Sequence, residues 1–214
     1  MNQTVNLYGF RFGIAAFTAN ALFVVVQTLQ LLRVLRYPLD EIFIYGFSLC
    51  IVIPFVLEML ALHYIAPVDK KFWSHAALIF TIIYAVFVTA NYVVQLATVI
   101  PMTLRGESEQ IGILIQTPHS LFWDFDAIGY ISMELATLIA VPVFEKQGFQ
   151  KWVRIAFLAN AFVTPLIAFV YFFPEFSERL LLLAIPWTIT APMAMVLLAI
   201  MFKKNMEREN HSKE

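Results

Sequence analysis

Residues 117–144 read TPHSLFWDFDAIGYISMELATLIAVPVF. The stretch is long enough to cross a bilayer, whose ~30 Å hydrocarbon core needs about 20 mostly apolar helical residues. It nevertheless carries His119, Asp124, Asp126 and Glu134. Ionisable groups at membrane depth are costly and mark a functional site by default. They mark a place without naming a reaction.

Read as a helix, the stretch starts with Thr117 as N-cap and Pro118 at the first helical position, both favoured there. His119, Trp123, Asp126, Tyr130, Glu134 and Thr137 then recur every three or four residues and share one face. That polar, aromatic face is expected to point into a helix bundle. Asp124 falls away from it, near the outer end, where it is expected to meet water.

Working outward, five more stretches have the same length and character: 7–32, 42–65, 72–100, 152–173 and 180–202, with the fourth at 118–144. The chain is 61% hydrophobic and 14% charged, against roughly 45–50% and ~25% in a soluble domain. The expected fold is all-α: a polytopic membrane protein with six transmembrane helices over 1–202 and a charged cytoplasmic tail over 203–214. The net charge of −1 carries no signal for nucleic acid, and the expected surroundings are a lipid bilayer. Cys50 is the single cysteine, so no intrachain disulfide is possible. The first span lacks a basic n-region and a small-residue cleavage site, so it does not read as a signal peptide.

Six spans divide the basic residues unequally. One side takes Arg11, Lys70, Lys71, Lys146, Lys151, Arg154, Lys203, Lys204, Arg208 and Lys213, ten of the fourteen; Arg33, Arg36, Arg105 and Arg179 take the other. By the positive-inside rule both termini are expected to be cytoplasmic. A prokaryotic cytoplasmic membrane is the expected location.

Polar residues recur in the other spans. Asn20 and Gln27 share a face of the first. Pro54 and Glu58 lie inside the second, with Glu58 ~24 Å from its outer end at 1.5 Å per residue. Tyr84, Asn91, Gln95 and Thr98 form a stripe on the third, and Asn160 and Pro165 lie in the fifth. The linker 101–117 is expected either to lie on the outer surface or to fold in as a cap. Depth groups Glu58, Glu134 and Asn160 in an inner layer, and Asp126, Asn91, Gln95 and Gln27 in an outer one. No lysine or arginine lies in the core to pair with the carboxyls. Glu58 and Glu134 together can hold and pass a proton or bind a cation; otherwise they and the buried amides, Asn20 among them, serve as interhelical glue.

Familiar chemistry is largely absent. His119 and Asp124 spell H-x4-D, the glycerolipid acyltransferase pattern, but on one helix a five-residue step points them ~140° apart. No zinc-protease, phosphate-loop, nucleophile-elbow or dinucleotide motif occurs, and the spacing points to no metal or cofactor. Every lysine lies outside the spans, which removes a retinal Schiff base. His63 and His75 flank the 66–71 loop and read as interfacial. Thr18-Ala19-Asn20, Thr89-Ala90-Asn91 and Leu158-Ala159-Asn160 recur at near-equal intervals, which would suit three helical hairpins and a central cavity.

The segment PHSLFWDFDAIGYISMELATLIAVPVF resembles stretches of uncharacterised small six-span prokaryotic membrane proteins. The resemblance covers the fourth helix and its approach, and implies no activity. With sterol-isomerase-type proteins the chain shares ingredients only, intramembrane carboxylates and aromatics, and no motif. The expected function is therefore an intramembrane cavity that binds or transports a small molecule, proton or cation. In it Glu58 and Glu134 would be carriers, Asp126, Asn91 and Gln95 the outer approach, and Trp123 and Tyr130 aromatic walls. The alternatives are a membrane enzyme using the same acids on a lipid or isoprenoid, and a non-catalytic accessory or immunity-type protein.

Overall fold

A computed structural model describes residues 2–177 and 179–211. Lys213, counted above with the basic side, lies outside the described residues, as does the end of the tail. The helices are α1 (Asn2–Leu31), α2 (Leu39–Ile65), α3 (Lys71–Val94), α4 (Ile100–Leu104), α5 (Leu121–Ala140), α6 (Gln150–Ala161), α7 (Thr164–Phe172) and α8 (Trp187–His211). They make six spans long and apolar enough to cross a membrane. The chain is a polytopic all-α membrane protein, with no strand among the described residues.

The spans close into a ring in chain order. Helix α1 packs on α2, α2 on α3, α3 on α5, α5 on α6 and α7, and α6 on α8, which returns to α1. Lipid tails are as apolar as the side chains, so burial drives such packing less than close fit does. Glycines supply that fit at two crossings. A Cβ on Gly13 of α1 would stand 2.7 Å from Ala199 Cβ of α8, and one on Gly129 of α5 would stand 2.6 Å from Val88 Cγ2 of α3.

Prolines shape the spans. The second span begins just after Pro38, with Asp40 and Glu41 in its first turn where the helix dipole favours acids. It stops at Ile65 because the residue before Pro67 is driven to extended backbone. The fifth span is two helices, since Pro165 has no N–H to donate and cannot continue α6; Thr164 Oγ1 donates to the Ala161 carbonyl at the break. Between α3 and α4 the helix widens into one π turn over Gln95–Val99, where Ile100 N donates to Gln95 O.

The fourth span is the most enclosed. Its apolar window is 67% buried, against 28–39% in the other five. Its start differs from the expected one: Ser120 is the N-cap, its hydroxyl accepting from Trp123 N, and α5 begins at Leu121. Thr117 and Pro118 lie in the preceding turn, and His119 has φ 65° there. The helix of the sixth span continues past residue 202, where its apolar segment is expected to end. Helix α8 runs on through Lys203 and Lys204 to His211, and Gln3 Nε2 donates to Asn210 Oδ1 at 2.8 Å.

Candidate functional site

At the end of the bundle opposite the chain termini lies a cavity of about 320 Å³. Every span contributes to its wall: Phe23 and Gln27 from α1, Glu41 and Tyr45 from α2, Tyr92 from α3, Trp123, Asp126 and Tyr130 from α5, Tyr171 from α7, and Trp187 from α8. Among the described residues two carboxyls line it, and no lysine, arginine or histidine does.

Asp126 is the centre of its polar network. Its Oδ2 accepts from the Tyr171 hydroxyl at 2.5 Å, and its Oδ1 from Asn91 Nδ2 at 3.2 Å. Asn91 Nδ2 also donates to Gln116 Oε1 at 3.0 Å, which brings in the linker. Gln95 holds that linker from both sides, donating to Leu114 O at 2.8 Å and accepting from Gln116 N at 3.2 Å. Of the two expectations for 101–117, the cap is the one found: its 3-10 turn, Ser108–Leu114, buries Ile111. The π turn begins at Gln95, one turn beyond Asn91, and such turns are frequent at functional sites.

Aromatic rings form the rest. Trp123 lies 4.7 Å from Tyr171 and donates from its indole to the Tyr171 carbonyl at 3.2 Å. Tyr130 meets Trp187 edge-on at 5.1 Å, Tyr45 stacks on Tyr92 at 5.1 Å, and the Tyr92 and Tyr130 hydroxyls are 3.1 Å apart. Tyr84 lies 6.4 Å from Tyr130 and meets Phe55 edge-on at 5.9 Å. Both Tyr84 and Phe55 are 1% exposed, so this chain of rings runs from the cavity wall into the packed core.

The inner carboxyls lie apart from this network. Glu58 and Glu134 are 0% exposed, and among the described residues no hydrogen bond joins the pair. Glu58 fits because α1 has Gly13 opposite it: a Cβ there would lie 2.3 Å from Glu58 Oε1. One turn below Glu134, Asn160 ties three spans together, donating to Thr137 at 3.3 Å and accepting from Thr190 at 3.0 Å. Asn20 is fully buried, with a 3.9 Å contact from Nδ2 to Met195 Sδ. The three asparagines of the repeated tripeptides thus have unrelated partners.

Among the sequence candidates, the structure gathers Asp126, Asn91, Gln95, Trp123 and Tyr130 around this cavity and its network. It separates Glu58, Glu134, Asn160 and Asn20 from them. His119 joins neither: it is exposed, outside α5, and the H-x4-D pair falls with it. Asp124 is exposed, as expected. His63 and His75 do meet, rings 5.4 Å apart, with His63 Nδ1 2.9 Å from Ser74 Oγ. Among the described residues no group of three or more His, Cys, Asp or Glu is placed to hold a metal. Sequence reasoning missed Tyr171, Gln116, Tyr45, Tyr92, Glu41 and Trp187. Tyr92 adjoins Asn91 and could have been found; Gln116 lies in a linker without periodicity, and the others read as ordinary interfacial residues.

Fold and site together define a class, a multi-pass membrane protein with a polar, aromatic cavity at one end of the bundle. Protein-family models, curated proteins and solved structures provide no match to the chain.

Proposed function

We propose that this protein binds a small organic cation in the outer cavity and carries it across the membrane. The observation that carries this reading is the lining: Asp126 and Glu41 stand with tyrosine and tryptophan rings and, among the described residues, without one basic side chain. A cation over an aromatic face in a desolvated site gains about 2 kcal/mol or more, and a carboxylate adds charge attraction strengthened by the low dielectric. A neutral ligand would use the rings and gain nothing from the acids. A volume of about 320 Å³ lies at the small end of the ligand-pocket range of ~300–1,000 Å³.

Transport is supported by the arrangement below the cavity. Tyr130, on the cavity wall, packs on Tyr84, which meets Phe55 edge-on, and Glu58 and Glu134 are buried in the bundle. In this reading a cation enters at Asp126, the rings part, and the two inner carboxyls exchange a proton or the cation. Cytoplasmic termini, from the distribution of lysine and arginine, make the cavity face outward.

The test is titration of the protein in nanodiscs with benzyltrimethylammonium and with its uncharged carbon isostere. The cation is expected to bind at least about 10-fold tighter, and Asp126→Asn to reduce that difference several-fold, the rings and Glu41 keeping the rest. Equal binding of the two ligands would sink the reading. A second reading, acid–base chemistry on a lipid or isoprenoid, is favoured by the Tyr171–Asp126 contact, a phenol against a carboxyl. It requires a chemically altered lipid after incubation, whereas the carrier returns its ligand unchanged.

A further inference from the structure

At the other end of the bundle, where Gln3 meets Asn210, the connection 142–149, α6 and α8 surround a second, wider pocket of about 860 Å³. Lys70, Lys146, Arg154, Lys204 and Arg208 line it, against one acid among the described residues, Glu145. Lys70 Nζ lies 2.5 Å from Glu145 Oε1, and this hydrogen bond, with the lysine's charge, holds the Glu145 carboxyl below its usual range. That pair cancels itself and leaves four positive charges.

Those four differ in how they are held. Arg154 is half-buried, its Nη1 donating to Val141 O at 2.9 Å and Phe144 O at 3.5 Å, carbonyls at the end of the fourth span. Its Nε and Nη2 have no hydrogen bond among the described residues, so three of the five guanidinium N–H donors remain for a ligand. Lys204 Nζ stands 5.1 Å over the Phe149 ring, a cation–π contact that keeps it on the wall. Lys146 and Arg208 are exposed and in no ion pair among the described residues. Beneath the charges the floor is apolar: Pro142, Phe144 and Met201, of which Phe144 and Met201 are buried. Trp152, 58% exposed on α6, is of the type that anchors helices at a membrane interface.

We propose that this pocket binds the phosphate headgroup of an anionic phospholipid. Lys146, Lys204, Arg208 and the free N–H groups of Arg154 would contact the phosphate oxygens, with the glycerol end over Phe144 and Met201. Basic pockets between helices at a membrane face suit such headgroups. Free phosphate offers the same oxygens but has no use for the apolar floor, which is why the lipid is the source inferred.

The test uses the full chain in phosphatidylcholine nanodiscs doped with fluorescent phosphatidylglycerol, read by quenching at the protein. Wild type is expected to prefer phosphatidylglycerol to phosphatidylcholine by at least about 10-fold, and Lys146→Gln, Lys204→Gln and Arg208→Gln to lose about 5-fold each. Lys151→Gln and Lys203→Gln remove exposed charges from the same end without touching the pocket, and are expected to lose nothing. Equal losses in both sets would mean a general surface potential and overturn the site. Displacement by millimolar glycerol phosphate would overturn the lipid as source and assign the pocket to a free phosphate. Unfolding in pure phosphatidylcholine, unchanged in every variant, excludes misfolding as the cause.

Discussion

The Tyr171 hydroxyl donates to Asp126 Oδ2 across 2.5 Å, joining the outer end of the fifth span to the fourth at the cavity wall. Asp126 is 5% exposed, so this bond and the one from Asn91 replace most of what water would supply. Removing a donor from a buried acceptor costs more than the bond itself adds, about 1–3 kcal/mol.

Tyr171→Phe is therefore expected to lower unfolding stability in detergent by about 1–3 kcal/mol. Tyr64→Phe, at a tyrosine 61% exposed, is expected to stay within about 0.5 kcal/mol. Chemical denaturation of the pair checks this; equal effects would remove Tyr171 from the site's framework.

Gly13 and Gly46 make a second comparison. A Cβ at Gly13 meets Glu58 Oε1 at 2.3 Å and Ala199 Cβ at 2.7 Å, whereas at Gly46 nothing lies within 4 Å. Gly13→Ala is expected to destabilise by about 1–3 kcal/mol through overpacking. Gly46→Ala, in mid-helix, is expected to be neutral or to stabilise by up to about 1 kcal/mol. Thermal unfolding of both variants reads the contrast.

Glu58→Gln and Glu134→Gln separate carrier from glue. Each keeps the side chain's shape and removes only the exchangeable proton or cation site. Uptake of the cation into proteoliposomes is expected to fall at least about 10-fold, as a step that loses 1.4 kcal/mol or more would, with folding unchanged. Normal uptake in both variants would leave the two carboxyls as packing groups.

Gln95 pins the linker through Leu114 O and Gln116 N. Gln95→Leu is expected to free the cap and quicken tryptic cleavage after Arg105, which is exposed; protection of exposed loops follows their local opening free energy. An unchanged cleavage rate would mean that Ile111 alone seats the cap.

The six spans were legible because hydropathy reports what a bilayer demands of a helix one segment at a time. So was the inward stripe of the fourth, Trp123–Asp126–Tyr130–Glu134–Thr137, because helical period is a local property. Its extension back to His119 failed at one position: Ser120, not Thr117, caps the helix, and the turn before a cap obeys no helical period. The sixth span outran its apolar segment because helix continuation needs only backbone bonds and helix-forming residues, which KKNMEREN supplies beyond the apolar zone.

The sequence by itself determined an all-α membrane protein with costly acids in its second and fourth spans. Only the tertiary structure decided what those acids meet. Ring order set Asp126 against Asn91 and Tyr171 while leaving Glu58 and Glu134 apart from that network. It also turned a linker glutamine, Gln116, inward and gathered Lys146, Arg154, Lys204 and Arg208 around one pocket. Span detection depends on the solvent around each helix, whereas a site depends on which helices are neighbours and at what depth. Those distances between remote parts of the chain exist only once the bundle has closed.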